Sequence, residues 1–68
     1  MRKGLQNLQT EEEKANAQYK ILAVDDEEGI IDSLSIFLKR SGYNFTGVTD
    51  PLEAIEKVKT EHFDMLIL

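Results

Sequence analysis

The sequence predicts an α/β fold in the order strand, helix, strand, helix, strand, built on a parallel sheet. Three features carry that expectation. Ile21 to Val24 is a continuous apolar run, the pattern of a strand covered on both faces rather than one. The run is followed by apolar residues at helical spacing, and the pattern then repeats through Asp50-Pro51, a helix-start signal. A third apolar run, Met65 to Leu68, closes a second strand-helix-strand unit.

The chain has 68 residues, which allows at most one domain near the size where one core is barely sufficient. It contains no cysteine, so disulfide frameworks and thiolate metal sites are excluded. Its longest apolar runs, ILAV and MLIL, are far too short to span a bilayer, and the N-terminus lacks a signal-peptide core. The expectation is a soluble, cytoplasmic chain with no membrane partner. The formal net charge is −5, and residues 1–18 balance Arg2, Lys3 and Lys14 against Glu11, Glu12 and Glu13, so the whole excess lies in residues 19–68. Such a surface repels phosphate backbones, and no nucleic-acid partner is expected for this segment.

Residues 1–18 read as an N-terminal tail or linker, because Leu5 and Leu8 supply too little apolar surface to fold alone. A second possibility is the end of an upstream helix. Thr10 and Glu13 have capping-box spacing and predict a short helix through Ala17. Residues 19–68 form the folded unit. Within it, Ile30, Ile31, Leu34, Phe37 and Leu38 share one face of a helix from about Glu28 to Ser41, with Ile36 pointing away. Lys39 and Arg40 suit the negative end of that helix, and Gly42 suits a left-handed stop. Tyr43 to Val48 is the second strand. Asp50, Pro51 and Glu53 then supply a cap, a first-turn proline and a first-turn acid to a helix whose buried stripe is Leu52, Ile55 and Val58. Glu61 to Asp64 is the loop into the third strand.

If the two crossovers lie on opposite faces, the first strand sits in the middle and the strand order is 2-1-3. The ligand crevice of an open α/β sheet lies beyond the carboxyl ends of its strands at the point where the order reverses. Four acids stand there: Asp25, Asp26, Glu27 and Glu28. Two explanations compete. Acids at a helix N-terminus are each stabilised by about 0.3–1 kcal/mol through the macrodipole, which accounts for Glu27 and Glu28. Asp25 ends the strand and is expected to face the crevice rather than the helix turn. Adjacent carboxylates in a crevice suit a hard cation such as Mg²⁺, which prefers oxygen ligands and keeps several waters.

ILAVDDE, the helix after it, TDPLEA and FDMLIL together resemble the first half of a response-regulator receiver domain of two-component signalling. The resemblance covers residues 20–68 and implies a flavodoxin-like fold limited to β1-α1-β2-α2-β3. It also implies that Asp25 and Asp26 hold Mg²⁺, one directly and one largely through water. In the family the phosphoacceptor aspartate follows a run of one acid and four apolar residues. Here that run is Asp64 to Leu68, so the acceptor is expected immediately after Leu68, outside these residues. Asp64 cannot replace it, since four residues of strand rise separate it from the crevice by about 13 Å. The implied partner of the parent protein is a sensor histidine kinase, and no enzymatic activity or phosphoryl acceptance is expected of these 68 residues alone. An unpaired edge on the third strand is expected to promote self-association or strand pairing.

Three alternatives remain for comparison. A dinucleotide-binding enzyme needs glycines at the first strand-to-helix turn, where this chain has acids. A metal-dependent phosphatase with an aspartate nucleophile could use Asp25, but Glu27 and Glu28 do not follow its acid-then-hydroxyl pattern. A non-catalytic interaction module would keep the receiver shape without the metal. His62 reads as a solvated loop residue without an acid-base partner nearby, and Glu53, Glu56, Lys57 and Lys59 read as a wet helix face.

Overall fold

The computed structural model describes residues 11–68. Its elements are α1 (Glu11–Asn16), β1 (Lys20–Val24), α2 (Glu28–Arg40), β2 (Asn44–Val48), α3 (Pro51–Thr60) and β3 (Met65–Ile67). The three strands form one parallel sheet in the order β2-β1-β3. That is the order expected of the first strands of a flavodoxin-like α/β fold.

The period-2 alternation of β1 divides the core between the sheet's two faces. Ile21 and Ala23 pack with Ile31 and Phe45, joined by Leu34, Leu38, Tyr43 and Ile67, so α2 covers that face. Leu22 packs with Val48 and Ala54, joined by Val24 and Phe63, so α3 covers the other. The crossovers therefore lie on opposite faces, and this places β1 centrally with β1's middle residues, Ile21, Leu22 and Ala23, all buried.

The helix boundaries follow from local chemistry. Gly42 adopts φ 94°, and the Tyr43 amide donates to the Leu38 carbonyl at 3.1 Å while the Gly42 amide donates to Lys39 at 3.0 Å. This is a Schellman closure of α2, satisfying two carbonyls that the helix end would leave unpaired. Asp50 caps α3: its Oδ1 accepts the Leu52 amide at 2.9 Å, with Pro51 in the first turn.

The stripe expected to be buried on α3 is corrected. Leu52, Ile55 and Val58 are 70%, 47% and 43% exposed, and Ala54 is the buried residue of this helix. The small Ala54 side chain lets α3 approach the sheet over Leu22 and Val48. Beside it, Ile55, Val58 and Pro51 border an open apolar cavity of about 230 Å³ that reaches Leu66 and Leu68, with no element beyond β3 to close it among the described residues. The face of α2 is likewise only partly covered, since Ile31 is buried while Ile30 and Phe37 stay exposed. Ile36 is exposed, as its position away from the apolar face requires.

A short helix is present near the N-terminus as the capping-box spacing suggests, although Thr10 itself lies outside the described residues. Leu5, Leu8, Arg2 and Lys3 also lie outside them.

Candidate functional site

The acidic run sits where β1 gives way to α2, at the carboxyl end of the central strand. Asp25 is half-buried, and Asp26, Glu27 and Glu28 are exposed. The Asp25 amide donates to the Val48 carbonyl at 3.2 Å, which extends the β1–β2 ladder one residue past the strand and fixes the Asp25 backbone. Its Oδ1 accepts the Glu27 amide at 2.9 Å. Glu27 is the N-cap residue of α2 and makes no side-chain cap, so the Asp25 carboxylate organises the entry to the helix instead.

That contact corrects the expectation that Asp25 stands apart from the helix turn. One oxygen serves the turn and the second has no protein partner among the described residues. Asp26 makes no hydrogen bond or ion pair there either. No lysine or arginine in the described residues pairs with any of the four acids. Among the described residues their excess charge is therefore answered only by the positive end of α2.

The donor set suits part of a hard-cation site. Asp25 offers its second carboxylate oxygen and Asp26 offers two, all charged oxygens of the kind Mg²⁺ prefers, and Mg²⁺ retains waters in its remaining positions. Among the described residues no three or more His, Cys, Asp or Glu side chains are placed to hold a metal ion between them.

β1 and β3 pair through Ile21 with Met65, Leu22 with Leu66 and Ala23 with Ile67. Continued by one step, this register brings Leu68 level with Val24. One step further, the same register would set the next position level with Asp25.

Asp64 lies at the opposite end of β3, as its sequence position requires. Its amide donates to the Lys20 carbonyl at 2.8 Å, and its Oδ2 accepts the Lys20 amide at 2.8 Å. Its Oδ1 lies 3.0 Å from His62 Nε2. The Lys20 amide bond, followed by the His62 contact, holds the Asp64 carboxyl below the usual carboxylate range. His62 is thus solvent-exposed as expected, but the reading that it has no acid-base partner is corrected: Asp64 stands two residues away in sequence. Lys20 is further engaged by Glu61 at 3.4 Å, and its ammonium lies 5.3 Å from the Phe63 ring centroid.

This geometry accompanies a sequence match. Over 49 residues the chain is 47% identical to the alkaline phosphatase synthesis transcriptional regulatory protein PhoP of Bacillus subtilis (strain 168), a response regulator. The match supports a response-regulator receiver-domain fragment over those residues. The matched stretch covers 72% of this chain and 20% of PhoP, so the chain spans about a fifth of that relative's length. No protein-family model matches it, and no solved structure does. No helix among the described residues is long and apolar enough to cross a membrane.

Proposed function

We propose that this receiver segment supplies the Mg²⁺-holding corner of a phosphoacceptor site, with Asp25 and Asp26 as the protein ligands. The observation that supports the reading is the β1–β3 register, Ala23 level with Ile67, whose continuation would bring the position after Leu68 level with Asp25 at the carboxyl edge of the sheet. A carboxylate there would complete three acidic side chains around one cation. Asp25 would contribute the oxygen that does not serve the Glu27 amide, and the exposed Asp26 would contribute the second carboxylate, with water completing the coordination that Mg²⁺ prefers.

The cation, when bound, screens the negative charge that otherwise opposes a phosphoryl group's approach to a carboxylate. The chain's own residues hold the geometry. The Asp25 backbone is tied to Val48, its side chain to the first turn of α2, and β3 is paired to the central strand. The phosphoryl donor of the parent regulator would be a sensor histidine kinase in the cytoplasm. The relative's name assigns it to transcriptional regulation, and the −5 charge of this chain leaves any nucleic-acid contact to other parts of the parent. The 68 residues themselves act as a receiver segment rather than an enzyme, and the open β3 edge is a place for self-association or strand pairing.

One observation favours a second reading, a receiver-shaped interaction module that binds no metal: Asp25 Oδ1 already has a structural task in the α2 turn. Incubation with radiolabelled acetyl phosphate and Mg²⁺ separates the two. The parent protein containing these residues takes up a stoichiometric label that disappears with the Asp26→Ala substitution, whereas the 68-residue polypeptide takes up none. A parent protein that is labelled equally without Asp26, or that is never labelled, favours the interaction module. A label on the 68-residue polypeptide shows that the acceptor is misplaced.

A further inference from the structure

The segment before β1 does more than lead into the sheet. After α1 ends, the Tyr19 amide donates to the Asn16 carbonyl at 2.9 Å, and the Asn44 amide donates to the Tyr19 carbonyl at 3.1 Å. The chain leaving α1 is therefore tied to the first residue of β2. The Asn16 side chain reaches across 25 residues of sequence, its Nδ2 donating to the Ser41 carbonyl at 2.8 Å. Ser41 is the C-cap residue of α2, where helix carbonyls lack intrahelical partners.

Gly42 completes the contact. A Cβ built on it would lie 2.8 Å from the Glu13 carbonyl oxygen and 2.9 Å from the Glu13 Cα. The backbone of α1 thus rests directly on the glycine that ends α2. Gly42 meets two separate demands, a left-handed φ of 94° and a surface with no side chain against α1.

We infer that residues 11–18 form a docked strap that fastens onto the α2–β2 turn through Asn16 and the bare face of Gly42. The strap is releasable by design of its contacts. The bonds that close α2 run between Phe37, Leu38, Lys39 and residues 41–43, and none of them involves α1. The turn can keep its shape while α1 lifts away, leaving the Ser41 carbonyl to water. No residue of α1 is buried, so release exposes little apolar surface. The strap attaches at the carboxyl end of α2, the end opposite the acidic run, and the inference stands independently of any metal at Asp25 and Asp26.

Two substitutions separate the strap from the turn. Asn16→Ala removes the side-chain bond to Ser41. Gly42→Asn keeps a residue tolerant of left-handed backbone but adds the Cβ that collides with Glu13. Heteronuclear ¹H–¹⁵N NOE values and amide exchange on the full chain are the readout. In the unsubstituted chain, amides 13–18 show NOE values matching those of α2. Either substitution lowers them to tail-like values and speeds their exchange at least about fivefold, corresponding to one hydrogen bond, while α2 and the sheet keep their protection. Tail-like values in the unsubstituted chain overturn the inference, as does an α1 whose order survives both substitutions.

Discussion

Asp64 grips Lys20 from both sides, its amide donating to the Lys20 carbonyl and its carboxylate accepting the Lys20 amide, each at 2.8 Å. The pair opens the β1–β3 ladder, and β3 contributes only three residues to that ladder. The Asp64 carboxyl is held below its ordinary value, first by the Lys20 amide and then by His62. A carboxyl whose folded pKa is depressed stabilises the fold above its unfolded value, near about 4, and that contribution is lost as pH falls through the lower folded value. Chemical unfolding of the unsubstituted chain and Asp64→Ala, followed by circular dichroism between pH 6 and pH 2, checks this. The substituted chain is less stable at pH 6, and the gap narrows toward pH 2.

Gly47 gives a packing prediction. A Cβ at this position in β2 collides with Ile31 Cγ2 and lies 3.1 Å from the Phe45 ring. Both neighbours are buried in the layer between α2 and the sheet, so neither has free space to move into. Gly47→Ala is expected to cost about 1–3 kcal/mol, the range for overpacking a filled core. A lower midpoint in urea with an unchanged slope is the result that fits.

The outer edge of β3 predicts self-association. Met65 and Leu66 are each about half exposed, and Leu66 borders the open cavity beside α3. Placing a lysine on such an edge blunts pairing with another strand. Leu66→Lys should shift the 68-residue chain toward smaller species in sedimentation velocity, while Glu56→Lys, on the outer face of α3, leaves the distribution unchanged.

Much of this fold is legible in sequence because its signals are local. The continuous run Ile21 to Val24, the Asp50-Pro51 helix start and the Gly42 stop each act within a few residues, and each occurs where those residues imply. What depends on distant neighbours is not legible. Periodicity identifies Leu52, Ile55 and Val58 as one face of α3, but it does not say what covers that face, and they are exposed. The Lys20–Asp64 clasp joins residues 44 apart, and the Asn16–Ser41 bond joins residues 25 apart. Neither leaves a trace in composition or spacing. The Asp25 side chain's bond to the Glu27 amide is a different case: an aspartate two residues before a capless helix start is a recognisable turn signal, and it was available from sequence.

The proposed Mg²⁺ corner of Asp25 and Asp26 is checked by a Mg²⁺ titration followed by ¹H–¹⁵N correlation spectra. Saturable shifts are expected at millimolar Mg²⁺, confined to the amides of residues 24–28 and to Val48 and Thr49 across the β1–β2 edge, and abolished by Asp26→Ala. Spectra that do not respond to Mg²⁺, or that respond equally after Asp26→Ala, rule the site out.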